Sequence, residues 1–272
     1  MIPFLPRLAV LAPALLLSLP ADAAMTTITP HRAIYDLELD RTRENSGTAD
    51  IKGRLVFEST GTVCDGFTVN TRFVTQVISP RGSLVNDLRS ATWEAGDGSS
   101  YRFITKNYLN KNLADETDGT ASRDDSDVTV ALKAPEEGEF VLGSGVLFPS
   151  QHMHRILAAA EAGETIVSAD VYDGSDTGRK TYTTTTVIGA RRDPAHEQGK
   201  VGDDVLGSLA SWPITVGYFD VEGEEPDTPA YEFSYDLFEN GVSRRIVLDY
   251  GDFTLTGDLS GIEFFATEPC EQ

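Results

Sequence analysis

Positive charge is what this chain is shortest of. Its 22 lysines and arginines face 43 aspartates and glutamates, a formal net charge of −21 over 272 residues. A surface with that field repels phosphate backbones and anionic headgroups, which argues against nucleic acid as a partner and against electrostatic adhesion to acidic lipid. Cysteine is scarcer still, with only Cys64 and Cys270 and no Cys-x-x-Cys, so a thioredoxin-like redox role has no footing. Beyond the first 23 residues no apolar run is long enough to span a bilayer, so no transmembrane segment is expected. Walker, dinucleotide and His-Glu-x-x-His motifs are missing, as are solenoid periods.

The N-terminus reads as a secretory signal. Arg7 supplies positive charge, Leu8–Leu19 is an apolar run broken by Pro13, and Ala21-Asp22-Ala23 fits small-x-small cleavage. A buried N-terminal helix is the alternative reading. Removing residues 1–23 takes away Arg7 and Asp22 and leaves the charge at −21. No cysteine follows the run, so a lipid anchor there has no attachment point. The expected product is one domain, residues 24–272, in an exported compartment. There an isolated cysteine pair reads as a disulfide, Cys64 to Cys270, the alternative being two free or intermolecular thiols.

One stretch breaks the otherwise two-residue rhythm. From Leu147 to Gly163 the spacing predicts a helix: Met153, Ile156, Leu157 and Ala160 share a face, Ser150 is placed to cap it, and Gly163 to end it. Around it lie strand patterns at 33–39, 53–59, 67–75, 84–94, 101–109, 128–132, 140–142, 165–172, 179–188, 211–219, 231–238, 242–250, 253–257 and 262–265. Gly96-Asp97-Gly98 reads as a hairpin turn and Asn240-Gly241 as a type I′ turn. The Asp-, Thr- and Ser-rich stretch 115–127 reads as a mobile loop or exposed hairpin tip, and Pro213 as an edge or strand start. A lone amphipathic helix in a long β chain must bury its stripe on a sheet. The expected fold is therefore mainly β: a large curled antiparallel sheet, a spiral or open barrel, with one principal helix packed on it. Two interiors fit, an apolar cavity or side chains packed solid.

Candidate chemistry is thin. His152 and His154, two apart on a helix, point about 200° from one another and suit a shared metal badly, so they read as a polar edge at the helix start. His31 could join them in a hydrolase, and His196 reads as solvated. Asp173-Gly174-Ser175-Asp176 and Asp115-x-x-Asp118 resemble fragments of calcium loops without completing one, and read as exposed turns. Gly143-Ser144-Gly145 lacks nucleophile-elbow spacing. No catalytic residue, metal site or cofactor is expected.

Several stretches together resemble the EipB-like family of cell-envelope integrity proteins: His31-Arg32-Ala33-Ile34-Tyr35-Asp36-Leu37, Leu147-Phe148-Pro149-Ser150-Gln151-His152, Asp173-Gly174-Ser175, Asn240-Gly241-Val242-Ser243 and Leu248-Asp249-Tyr250-Gly251-Asp252-Phe253. Cys64 and Cys270 sit where that family's disulfide would fall. The resemblance implies a periplasmic β-spiral shaped like the lipoprotein carriers, a role in envelope maintenance under stress without catalysis, and a periplasmic tetratricopeptide-repeat partner. The expected function is a non-enzymatic envelope-integrity protein that binds a lipid or other apolar ligand, or a protein. The alternatives are a hydrolase using His31, His152 or His154, and a purely structural interaction module.

Overall fold

A computed structural model of the protein describes residues 28–43, 48–125, 127–220, 222–223, 225–266 and 270. The expected signal peptide, residues 1–23, lies outside them. Eight strands come first: β1 (His31–Thr42), β2 (Asp50–Thr62), β3 (Gly66–Ser79), β4 (Gly82–Glu94), β5 (Ser100–Leu109), β6 (Asn112–Arg123), β7 (Asp127–Ala134) and β8 (Gly138–Gly143). The helix α1 (Pro149–Ala162) follows, then β9 (Ile166–Val171), β10 (Tyr182–Ile188), the single turn α2 (Asp203–Leu206), β11 (Ser211–Phe219), β12 (Pro229–Phe238), β13 (Ser243–Asp249) and β14 (Phe253–Phe264).

All 14 strands form one sheet in the order β8-β7-β6-β5-β4-β3-β2-β1-β14-β13-β12-β11-β10-β9. Chain neighbours pair antiparallel on both arms, and β14 joins the arms by pairing with β1 from His31↔Phe264 to Thr42↔Phe253. The meander is thus circular except between β8 and β9, the two edge strands. The segment between those edges is α1. Leu147, just before it, pairs with the β9 edge: its N–H donates to the Asp170 carbonyl at 2.8 Å and its carbonyl accepts from Tyr172 N–H at 3.0 Å.

Strict alternation gives the sheet two faces. Ala33, Tyr35 and Leu37 of β1 lie opposite Phe57, Leu55 and Gly53 of β2 and face inward. Outward positions carry ion pairs, among them Arg32–Glu58 and Arg54–Asp36, both 2.6 Å. Arg72 and Arg89 hold the Asp87 carboxyl well below the usual range by hydrogen bonds from both sides. Inside, one core packs α1 (Ile156, Leu157, Ala160) on β1 and β11–β14 through Tyr35, Trp212, Ile214, Tyr235 and Ile246. A second gathers Tyr101, Phe103, Val128, Val130, Phe148 and Tyr172. Ile156 and Leu157 are fully buried, each contributing about 1.5–3 kcal/mol.

Several expectations need correction. The stretch 115–127 is not a loop: most of it is β6, whose Thr117, Gly119 and Ala121 face inward and are buried. Its many Asp, Ser and Thr side chains occupy a strand whose other face is solvated. A hairpin tip does fall at its end, where Asp124 N–H donates to the Asp127 carbonyl at 3.1 Å between β6 and β7; the β5–β6 tip lies earlier, at Asn110 and Lys111, both at positive φ (50° and 72°). At Asn240-Gly241 only the glycine has positive φ (81°) and its N–H donates to the Phe238 carbonyl at 2.8 Å, so the loop is a type I-like turn with a left-handed glycine rather than type I′. Residues 253–257 and 262–264 are parts of one strand, β14, which ends one residue short of the expected 265. Pro213 is the third residue of an internal strand, where pairing to β10 begins only at Ile214.

The pairing of β1 with β14 brings the tail beside the β2–β3 turn, where Cys64 and Cys270 are bonded with Cα atoms 5.9 Å apart, across 206 residues of sequence. Closing so long a loop stabilises by about 5 kcal/mol in the chain-entropy picture. Cys64→Ser or Cys270→Ser should therefore lower Tm by about 10 °C or more in oxidising buffer. An unchanged melting temperature by calorimetry would contradict the bridge.

Candidate functional site

The arrangement around α1 starts from a proline. Pro149 has no N–H to satisfy and a φ already suited to a helix, so it takes the first helical position and Phe148 becomes the N-cap. Ser150 is inside the helix and does not cap it, contrary to the sequence reading. The orphan amides of Ser150 and Gln151 donate instead to the two oxygens of Glu94, at 2.7 and 3.0 Å. Glu94 ends β4, over fifty residues away, and is 2% exposed. Gln151 turns back, its Oε1 accepting from Phe148 N–H at 3.1 Å. Gly98 (φ 69°) makes room, since a Cβ there would overlap the Gln151 amide.

Arg123, at the end of β6, completes the dock. It donates to the carbonyls of Gly98, Ser144 and Val146 at 3.1, 2.5 and 2.6 Å and lies over the Phe148 ring at 5.0 Å. Burial pushes the Glu94 carboxyl above its ordinary value, while the two amides and the Arg123 charge oppose that rise. At the other end Gly163 has φ 77° and closes the helix in the left-handed conformation, as the sequence predicts.

Docked in this way, α1 leaves a hollow between itself and the concave sheet. The cavity is about 380 Å³, at the small end of the roughly 300–1,000 Å³ of small-molecule pockets. Phe57, Val69 and Leu88 line it from the first arm, Met153 and Ile156 from the helix, and Phe233 and Tyr235 from the second arm. A few polar groups share the wall: Ser90, Thr92, Thr105, His152 and Asp173. Burial pushes the Asp173 carboxyl up, against hydrogen bonds from Ser175. Further along the inner face the rings of Tyr182, Tyr218, Tyr231, Tyr250 and Phe253 form a ladder, with Tyr218 and Tyr231 stacked at 4.4 Å.

The imidazoles named from sequence have separate partners. His31 is buried, its Nδ1 2.7 Å from the Thr29 carbonyl and its ring against Phe57. His154 hydrogen-bonds the Ser150 carbonyl at 2.7 Å and packs on Phe67. His152 is not the polar edge expected: it is 5% exposed and lies 3.3 Å from the Thr184 hydroxyl. That hydroxyl donates its own proton to the Ala169 carbonyl, so it accepts from His152 Nε2–H, and Nδ1 is the acceptor of the neutral ring. His196 is exposed beside Asp203, 3.3 Å away. Among the described residues no group of three His, Cys, Asp or Glu is placed to hold a metal ion. Asp173-Gly174-Ser175 is not an exposed turn either: Gly174 is buried against the Phe103 ring, where a Cβ would overlap. The residues missed from sequence are Glu94 and Arg123. Their signal was parity, an ionisable group at an inward position of each strand.

Fold and cavity together define a beta-barrel-like protein: one curled sheet, open at a single seam, with packed cores and a largely apolar cavity under its helix. The chain belongs to the EipB-like family, whose model matches residues 22–266. It is 35% identical over 250 residues to the cell envelope integrity protein EipB of Brucella abortus (strain 2308), covering 90% of this chain and 87% of that one. It also superposes, with TM-score 0.82 and 35% identity, on the crystal structure of a beta-barrel-like protein of a domain of unknown function from Brucella abortus, covering 89% of this chain and all of that one. Among the described residues no helix is long and apolar enough to cross a membrane.

Burial, and next the Arg155 charge, pushes His152 down from 6.5 to about 4. Between those values the unfolded chain binds a proton that the folded ring does not, so stability falls as pH drops from about 6.5 to about 4, by roughly 3 kcal/mol. His152→Gln should flatten that part of the pH profile when urea midpoints are compared at pH 7 and pH 4.5. Equal slopes in the two proteins would show that the ring is not buried neutral.

Proposed function

We propose that this is a periplasmic protein that maintains cell-envelope integrity without catalysis, and that it does so by holding an apolar ligand under α1. The observation that carries the reading is the cavity, lined by apolar side chains from both arms and from the helix that roofs it, with hydroxyls among them. The name of the Brucella relative supports the envelope role. The family match, beginning at residue 22, is consistent with a signal peptide over 1–23 and one mature domain over 24–272. At about 380 Å³ the hollow suits one hydrocarbon chain better than a lipid with several. The Asp173 carboxyl on its wall, in a chain of charge −21, favours a neutral head over an anionic one.

A protein partner is the second reading, with a periplasmic tetratricopeptide-repeat protein as the class implied by the family resemblance. Val141 on β8 and Ile166 on β9 favour it, being 61% and 62% exposed on the two edge strands, where added chains pair. A hydrolase built on His31, His152 and His154 has no support in their separate hydrogen bonds.

Native mass spectrometry of protein purified unstripped from the periplasm should show a non-covalent mass that organic extraction removes. Met153→Trp fills the hollow; it should lose that mass, keep its circular dichroism, and fail to restore envelope resistance to a deletion strain. Bare wild-type protein, or full rescue by folded Met153→Trp, would overturn the ligand reading.

A further inference from the structure

Basic residues are few in this chain, yet four of them line one small cleft on the second arm. Arg192, Lys200, Arg244 and Arg245 surround a space of about 210 Å³, together with Glu197, Asp236 and Asp258. At roughly 30 Å³ per water, that is room for about seven waters, or one phosphate group with its ester oxygen.

The backbone is distorted to build it. At Tyr235/Asp236 the β12–β13 register slips, and the extra residue, Arg245, has φ 42°, a conformation that costs an ordinary side chain energy. Such a bulge re-aims side chains, and both arginines of the pair contribute to the same cleft. Asp236 spans two guanidinium groups, taking Arg192 at 2.8 Å on one oxygen and Arg245 at 3.1 Å on the other. One carboxylate thereby positions two cations and neutralises only one.

Arg244 is the third cation and the least satisfied. Its side chain is 10% exposed, and its guanidinium lies 5.3 Å from the Phe238 ring centroid. Its Nε has no hydrogen-bond partner. Its terminal nitrogens reach only long contacts, 3.4 Å to Glu197 Oε1 and 3.4 Å to the Val201 carbonyl. A buried guanidinium paired this loosely is costly unless another acceptor completes it. Glu197 is 57% exposed and occupies the place of that acceptor. Lys200 forms no ion pair among the described residues and adds a fourth positive charge at the mouth.

We propose that this cleft is a phosphate-binding site, with Arg244 and Arg245 as the fork, Arg192 and Lys200 as flanking charges, and Glu197 as a carboxylate that an incoming phosphate displaces. Planar guanidinium groups match the paired oxygens of a phosphate. The field of the whole chain opposes adhesion to an anionic surface; inside the cleft the four cations face Glu197, Asp236 and Asp258, and displacing Glu197 leaves two positive charges in excess for a phosphate. The phosphate can belong to a soluble monoester or to a phospholipid headgroup. The site stands apart from the apolar cavity and does not depend on the ligand reading.

Titration calorimetry with inorganic phosphate at low ionic strength should give one saturable site. Arg245→Gln, exposed and away from the core, should weaken it roughly tenfold, as loss of a charge-assisted contact does. Glu197→Gln should tighten it several-fold. Lys200→Gln, in an exposed loop, gives the same readout as Arg245→Gln should that variant fail to fold. Flotation with phosphatidylcholine vesicles, with and without phosphatidic acid, separates the sources. Arg245-dependent flotation assigns a lipid headgroup, while saturable phosphate without flotation assigns a soluble ester. No saturable heat together with no flotation, or binding that ignores both Arg245→Gln and Lys200→Gln, overturns the proposal.

Discussion

The rest of the molecule depends on one buried carboxylate meeting one helix end. A 14-stranded meander joined through β1 and β14 leaves a seam between β8 and β9, and two bare strand edges are a liability unless covered. The chain passes from β8 to β9 through α1, which turns inward onto the concave face and is fixed there by Glu94 of β4. Burying a carboxylate opposes its charge, which is why its pKa rises. Two helix amides, the positive end of the helix dipole and Arg123 offset that cost. Few other acceptors would do. A serine at the cap satisfies one amide, whereas a carboxylate reaching in from a distant strand satisfies two and ties helix to sheet as well.

The cavity follows from that attachment. Glu94 and Arg123 hold the N-terminal turn of α1 beside β4 and β6, while Ile156, Leu157 and Ala160 press the rest of it onto the second arm. The helix therefore leans toward one wall and leaves a space against the other, between Met153 and the inward residues of β2–β4. The inner wall is mixed, with Ser90, Thr92 and Thr105 among the apolar groups. The phosphate cleft sits on the second arm, where a bulge turns Arg244 and Arg245 into one small space.

How much of this can be read from the residues differs by element. The alternating strands and α1 are legible because their periods, two and 3.6, register burial directly. Gly163 is legible because its role is local. β6 is not: Asp115, Asp118, Ser122 and their neighbours look like a loop, and only pairing with β5 and β7 makes the stretch a strand. The turn at Asn240-Gly241 has the composition of one type and the conformation of another, with only Gly241 in the left-handed region. Glu94 as the helix cap is invisible to any local rule. Its partner amides lie more than fifty residues along the chain, and only the inward parity of its strand position marks it. His152 looks like a polar edge until Thr184, thirty-two residues on, comes to lie beside it.

The Glu94 carboxylate holds the N-terminus of α1 against the inner face of the sheet. Hydrogen–deuterium exchange on Glu94→Ala tests it most directly. Faster exchange is expected over α1 and the β9 edge, with β13 and β14 as protected as in the wild type. Unchanged protection of residues 149–171 would contradict it, as would a uniform loss across the whole sheet.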